Sequence, residues 1–320
     1  MRLLAALAIL VGALVPASAQ DWPSRVVRIV VPFGPGSTPD SAARLVADRL
    51  QARLGQPFVI ENKPGASGNI GTDAVAKADT DGYTLGVSIV GPLALNTLLF
   101  PRMPYDPARD LTPVTILAGQ PSVLVVNNDL PARSVDELIG LLKRDPGKYN
   151  FGSIGVGSLS HLAMEAIAIK SGTRPVHIPF PGSPAAVTAL IRGDVQMAVL
   201  PAASVVPQAQ DGKMRMLAVT VPERSALLPD LPTLREAGIA GVEADAWIGL
   251  IAPAKLPEPI VRKLGDTVRQ ILAEPEIREK LKAQFMEPSG GTAEQFRATV
   301  QAELDRWGPV IRASDIRMGQ

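Results

Sequence analysis

Four short stretches of this 320-residue chain concentrate glycine, proline and small hydroxyl residues where the pattern passes from strand-like to helix-like: residues 32–40, 62–71, 152–161 and 180–184. Glycine lets the backbone come close to a bound molecule, and the first N–H groups of a helix have no partner within it. A strand, such a turn and a helix in succession put those N–H groups at the carboxyl edge of a parallel sheet, where open α/β sheets take their ligands. The chemistry this suits is anion binding. A carboxylate gains roughly 0.3–1 kcal/mol from one helix end, and about 2 kcal/mol when partly buried. None of the four stretches contains arginine, and Lys63 is their one basic side chain. Recognition of an anion there falls to backbone amides, serine hydroxyls and ordered water. Several such contacts together reach micromolar affinity, about −8 kcal/mol. Any one stretch reads equally well as an ordinary tight turn; four at equivalent positions favour a shared binding edge.

Catalytic patterns are weaker. Gly65, Gly68 and Gly71 recur at three-residue spacing, which is neither a dinucleotide fingerprint nor a phosphate-binding P-loop. Gly155 and Gly157 make half of a dinucleotide fingerprint, with Ser160 in the third glycine position. No nucleophile elbow and no His-Glu-x-x-His occurs. His161 and His177 are the only histidines, too few and too far apart in sequence for a metal site. Ser158 and His161 fall on one helical turn, where the pair reads either as a nucleophile with its base or as a helix cap. Asp40 caps the first helix or braces its loop, and Trp247, just before the apolar run 248–252, reads as a cleft wall or as core. Tyr83 and Tyr105 read as structural.

The elements that must position these loops alternate along the chain. Strand patterns at 26–31, 58–61 and 84–90 enclose helix patterns at 41–54 and 70–78, the βαβα rhythm of a parallel sheet. A linker-like stretch, 101–113, holds four prolines. A second α/β set follows, with strands at 122–126, 149–153, 176–179, 197–200 and 214–221 and helices at 134–143, 159–171 and 185–192. Helical patterns at 259–272, 275–284 and 293–311 close the chain and are expected to pack back on the first set. The expected fold class is therefore α/β in two lobes, each a mostly parallel sheet flanked by helices, with lobe 1 formed by 20–120 and 245–320 and lobe 2 by 121–244.

Composition narrows the class. At 46% hydrophobic and 20% charged the chain buries a full core, and a net charge of +1 with 4% aromatics gives no footprint for nucleic acid. The absence of cysteine excludes disulfides, thiolate chemistry and lipid attachment through cysteine. Residues 1–19 read as a signal peptide: Arg2, an apolar stretch over 3–15, then Ala17-Ser18-Ala19 as the cleavage site, with cut after Ala19. An uncleaved anchor is disfavoured, because a span needs about 18 or more apolar residues and Pro16 interrupts this run.

At residues 32–40, 60–71, 105–113, 155–161, 218–225, 231–238 and 249–253 the chain resembles the Bug (TctC-type) substrate-binding proteins of tripartite tricarboxylate transporters. The resemblance runs over nearly the whole mature chain. It implies a type II periplasmic-binding-protein fold and a ligand carboxylate held between two loops of the first lobe by backbone amides and bridging water. Carried over by position, it implies ligand contacts at Pro35, Gly36, Ser37 and Asp40, at Ala66, Ser67 and Gly68, and at Ser88 at the end of the third strand. From the second lobe it implies Gly157, Ser158, His161, Gly182 and Ser183, to which Trp247 is added from the residue reading. The sequence departs from the family pattern twice: Ser37 replaces a usual second glycine, and Leu200-Pro201 stands where many members have an aspartate that touches the ligand's far end. The second departure points to a less polar distal group. The function so implied is non-enzymatic: a monomeric periplasmic receptor, without cofactor or metal, that delivers a small carboxylated molecule to integral-membrane transporter subunits. The alternatives are a ligand sensor for a membrane kinase and a periplasmic enzyme using Ser158 and His161. The sequence leaves open which carboxylate is bound.

Overall fold

β-branched residues bounded by turn formers make the first strand, and the chain then alternates as its pattern predicts. The computed structural model describes residues 22–318, so the expected leader and its expected cleavage after Ala19 lie outside the described residues. The chain runs β1 (Val27–Val31), α1 (Thr38–Leu54), β2 (Phe58–Asn62), α2 (Asn69–Ala76) and β3 (Thr84–Ile89). A π-helical turn, Gly91–Leu95, leads to α3 (Asn96–Leu99), α4 (Pro107–Asp110) and β4 (Leu111–Gln120). Next come β5 (Ser122–Asn127), α5 (Val135–Arg144), β6 (Asn150–Ser153), α6 (Leu159–Ser171), β7 (Val176–Pro179), α7 (Ser183–Arg192), β8 (Met197–Pro201), α8 (Ala202–Gln210) and β9 (Met214–Val219). The chain returns in β10 (Ala246–Pro253) and ends with α9 (Glu258–Leu272), α10 (Pro275–Lys282), β11 (Glu287–Gly290) and α11 (Ala293–Ala313). Helix boundaries follow local chemistry. Ser134 caps α5 through the Glu137 N–H at 3.1 Å, Thr292 and Gln295 form a reciprocal capping box on α11, and Gly55 ends α1 with φ 74°.

Two sheets result, ordered β11-β4-β10-β3-β1-β2 and β7-β6-β8-β5-β9. In each, the half that carries the glycine-rich loops is parallel: β1 with β2 and β3, and β6 with β7 and β8. The other half is antiparallel, because β4, β5, β9 and β10 are the strands in which the chain passes between sheets and comes back. The expectation of mostly parallel sheets thus holds for the loop-bearing strands and not for the crossing strands. The two crossings are tied together: Thr220 donates from its N–H and its hydroxyl to the Ser122 carbonyl at 2.9 and 3.1 Å, and accepts from the Ala244 N–H at 3.0 Å.

Two further expectations need correction. Residues 101–113 are not simply a linker, since β4 begins at Leu111 and contains Pro113. That proline lies opposite Ile251 beside a register shift, an irregularity of the kind at which a sheet admits proline. The helical tail packs on the first sheet, but α11 also reaches the second: Ser314 after its end donates to Glu165 on α6 at 3.0 Å. The largest apolar cluster accordingly passes from Leu95 and Ile251 through Phe296, Trp307 and Ile311 to Leu162 and Met164. Close packing of Phe296 requires Gly249, where a β-carbon would lie 2.1 Å from the ring. No helix among the described residues is long and apolar enough to cross a membrane.

One buried carboxylate sits where α11 meets the returning strand. Glu303 is 4% exposed, accepts from Trp307 Nε1 at 2.6 Å, and lies 3.3 Å from Arg306. Burial pushes its pKa up to about 7, against the pull of Arg306 and Trp307. The folded state therefore holds this proton more tightly than the unfolded chain. The stability it confers is complete below the ordinary value of 4.5 and is lost as pH rises through about 7. Denaturant titrations across that window are expected to show wild type losing on the order of 3 kcal/mol relative to Glu303→Gln. Parallel pH curves for the two proteins would contradict it.

Candidate functional site

The first loop is held by one buried acid. Asp40, 2% exposed in the first turn of α1, accepts the Gly36 N–H at 2.9 Å, Arg44 Nε at 2.9 Å and Asn62 Nδ2 at 2.8 Å. Asn62 also donates to the Phe33 carbonyl at 2.9 Å, which fastens the end of β2 to the turn after β1. Burial alone would raise the Asp40 pKa, but the bonds from Arg44, Asn62 and Gly36 outweigh it and hold the carboxyl below its ordinary value. Asp40 thus braces the loop, with its oxygens committed within the protein. Pro35 and Gly36 are exposed at the loop tip. Ser37 occupies the N-cap position of α1, but its hydroxyl makes no capping bond, and its buried oxygen has no partner among the described residues. Such an orphan calls for a water or a ligand.

The second loop is a left-handed turn. Gly65, Ala66, Ser67 and Gly68 have φ of 131°, 47°, 54° and 88°. For Ala66 and Ser67 this conformation costs roughly 1–2 kcal/mol each, a strain characteristic of functional sites. The Gly68 N–H closes the turn on the Gly65 carbonyl at 3.0 Å. Gly68 must be glycine, since a β-carbon would lie 2.6 Å from Pro92 and 3.0 Å from the Phe33 ring. That contact sets the first and second loops beside the π-helical turn that follows β3. Lys63, the one basic side chain here, is paired with Glu61 at 3.1 Å.

Two buried polar residues that the sequence reading passed over, Asn69 and Asn96, support this turn together with Tyr105, which read there as structural. Asn96 Nδ2 donates to the Ser67 carbonyl at 3.1 Å and to Asn69 Oδ1 at 2.7 Å. Tyr105 donates to Asn69 Oδ1 at 3.1 Å or to the Pro92 carbonyl at 2.8 Å, and burial drives its pKa far above the ordinary phenol value. Ser88 does not line an open surface: it is 1% exposed and 3.1 Å from Thr72 Oγ1 beneath α2.

On the second sheet, Ser158 caps α6, donating to the Gly155 carbonyl at 2.7 Å and accepting the His161 N–H at 3.3 Å. The His161 ring accepts the Gly157 N–H on Nδ1 at 3.2 Å, with Nε2 3.6 Å from Glu165. Ser158 and His161 are therefore not joined as nucleophile and base; both side chains hold the turn. His161 and His177 do meet, stacked with ring centroids 3.6 Å apart. Burial and the neighbouring His161 lower His177 to about 4. Gly157 is buried: a β-carbon would lie 3.0 Å from Leu99 and 2.9 Å from Met318. Since α3 carries both Leu99 and Asn96, it links the first-sheet turn to the second-sheet one. Gly182, with φ 100°, opens α7 without a side-chain cap, and Ser183 is its first residue. Trp247 does not belong to this surface. It is 3% exposed and packs edge-to-face on Phe296 at 5.3 Å, and the residues that share its face of β10 point toward α11.

Comparison with known proteins gives the family and the fold. A family model described as tripartite tricarboxylate transporter family receptor matches residues 42–316. Protein BugT of Bordetella pertussis is 36% identical over 99% of this chain and 98% of its own. A Rhodopseudomonas palustris protein solved with adipate superposes with a TM-score of 0.81 at 38% identity, over 93% of this chain and 99% of its own. MatC from Rhodopseudomonas palustris with bound malate gives 0.76 at 33% identity, over 91% and 100%.

The Asp40 brace generates a stability prediction with a defined sign. Its folded pKa is lowered, so its contribution is full above the ordinary 3.8 and is lost as pH falls below it. Asp40→Asn is expected to cost about 1–2 kcal/mol near neutral pH, with the half-exposed Arg44 adding little. In urea melts the gap to wild type should close at acid pH; a gap independent of pH would count against the charged brace.

Proposed function

The chain belongs to the tripartite tricarboxylate transporter receptor family, and from that premise we propose that it captures a small dicarboxylate between its two lobes and delivers it to integral-membrane transporter subunits. The periplasmic solute-binding class follows from the family; the ligand and the partner are our reading. The observation that carries the reading is the unpartnered Ser37 hydroxyl at the uncapped start of a 17-residue helix, beside the strained turn at 65–68. Both features hold donors in place around a space with no free cation, which suits a carboxylate held by dipoles. Two neighbours at 38% and 33% identity were solved with dicarboxylates, adipate and malate. On the second lobe, the open start of α7 at Gly182 and Ser183 supplies donors for the far end.

The proposed cycle needs no chemistry on the ligand. With lobe 1 as 20–120 and 245–320 and lobe 2 as 121–244, the crossings near Ser122 and Thr220 act as the hinge. A ligand that contacts both lobes favours the closed form by its differential contacts, and the closed form is what the membrane subunits recognise. The leader is removed after Ala19, and the mature receptor acts as a monomer. An enzymatic role for Ser158 and His161 is disfavoured by their engagement with Gly155 and Gly157.

A thermal-shift series with diacids and their diamides tests the reading. At a hundredfold excess over Kd a true ligand stabilises by about 2.7 kcal/mol, a rise of roughly 5 °C or more. A shift with a diacid and none with its diamide is expected; a shift with neutral or cationic compounds alone would overturn the carboxylate assignment. Ser37→Ala sharpens the test. Removing a hydroxyl with no protein partner should leave the empty protein as stable as wild type, while calorimetry should show diacid affinity falling tenfold or more, the loss of one hydrogen bond to a charged group. Unchanged affinity would remove Ser37 from the site.

A further inference from the structure

Helix α11 ends in a reversal of the backbone. Asp315, with φ 48°, takes the left-handed position just past the helix. Its N–H reaches the Arg312 carbonyl at 3.4 Å, and the Ile316 N–H reaches the Ile311 carbonyl at 3.2 Å. This paired closure satisfies the last carbonyls of the helix and turns the chain back over it. Ile316, 6% exposed, lands in the same apolar cluster as Ile311 and Trp307. Aspartate is one of the few residues besides glycine that adopts this conformation readily.

The reversal lays residues 314–318 against the supports of both glycine turns. Ser314 donates to Glu165 on α6 at 3.0 Å. Glu165 lies 3.6 Å from Nε2 of His161, the residue whose Nδ1 accepts the Gly157 N–H at 3.2 Å. At the other end of the segment, the Met318 N–H donates to the Leu99 carbonyl of α3 at 2.9 Å. Gly157 packs directly on both residues, since a β-carbon there would lie 2.9 Å from Met318 Sδ and 3.0 Å from Leu99. Helix α3 also carries Asn96, which holds the Ser67 carbonyl of the turn at 65–68. One short segment thus touches Gly157 itself, its His161 anchor through Glu165, and the helix beneath the first-sheet turn.

Resting on the reading of these turns as the walls of a dicarboxylate cleft, we propose that residues 314–318 form a strap that positions the turn at 155–157 for binding. The turn needs such support. Gly155 and Gly157, with φ of 130° and 70°, are the residues that lose the most freedom on being ordered. A turn already held by the strap does not lose that freedom when a ligand arrives, so the affinity of the cleft depends on a segment that acts through Gly157 and His161.

Two substitutions at Asp315 isolate the effect. A β-branched residue resists the left-handed conformation and glycine takes it freely. Asp315→Val therefore unseats the strap, while Asp315→Gly loses the same carboxylate and keeps the reversal. The full mature protein, unfolded and refolded to remove any copurified ligand, is compared with both by amide hydrogen exchange and by calorimetric titration with adipate. In Asp315→Val, exchange over 155–161 is expected to quicken about tenfold or more while β1 and α1 keep their wild-type rates. Adipate affinity should fall about threefold or more with it. Asp315→Gly should match wild type in both. A chain ending at Arg317 keeps the reversal, lacks both Met318 contacts, and is expected to loosen the same turn; it decides the matter if Asp315→Val loosens everywhere. Exchange at 155–161 unmoved in that chain and in Asp315→Val would overturn the strap, as would equal loosening in Asp315→Gly. A loosened turn with unchanged adipate affinity would overturn its part in binding. Wild type that binds neither adipate nor malate would count against the dicarboxylate reading, and exchange alone would then decide the strap.

Discussion

A carboxylate held without a cation is held only as well as the N–H groups around it stay in place. Each donor contributes little, and a donor that moves as it binds returns part of its gain as lost entropy. The fold meets this constraint by making the loops stiff. Asp40 and Asn62 fix the first loop to the second, Gly68 wedges the second against Phe33 and Pro92, and Asn96 holds the Ser67 carbonyl from below. Helix α2 is brought close behind by Gly71, where a β-carbon would lie 2.6 Å from Pro32 and 2.7 Å from the Lys63 carbonyl. The buried polar residues of the first sheet are in effect a second layer beneath the proposed binding edge.

The second lobe uses the same principle with different groups. A histidine takes the place of the aspartate: His161 receives a loop N–H, as Asp40 does, and is itself fixed by stacking on His177. The role uses the Nδ1 lone pair, which accepts the Gly157 N–H at 3.2 Å. Both lobes thus use a side chain from the first turn of a helix to pin the glycine turn before it, through an N–H four residues back in each case.

The alternation of strands and helices, the glycine-rich edges and the lack of a cation were legible because each is local in sequence. Which residues meet across elements was not. His161 and His177 read as too few and too far apart for a metal site, and their stacking had no sequence signal: β6 and β7 pair with Phe151 opposite His177, and α6 lies over that pair. Asn96 was invisible for a related reason: it follows a π-helical turn whose wider pitch leaves no periodic signature. Trp247 was ambiguous because an aromatic before an apolar strand fits core and cleft alike. Its face was settled by Gly249, two residues on, which admits the Phe296 ring beside it. Pro113 suggested a break in the chain and instead marks an irregularity within a long strand.

The last constraint is on where such a protein can bend. Helix α11 shares a core with both sheets, through Phe296 on the first and Trp307 and Ile311 toward the second. A closing motion that opened this core would expose apolar surface at roughly 25 cal/mol per Å², more than a weak ligand could offset. In the proposed cycle the pivot therefore lies close to α11 and the crossings at Ser122 and Thr220. That is also where the buried acids Glu243 and Glu303 meet Arg306, at 3.2 and 3.3 Å. Parting Arg306 from the buried Glu243 costs free energy, so that contact is tolerable only at a point that opening and closing leave unchanged. Glu303 and Arg306 both lie on α11, so the cluster and the shared core put the proposed pivot on the same helix.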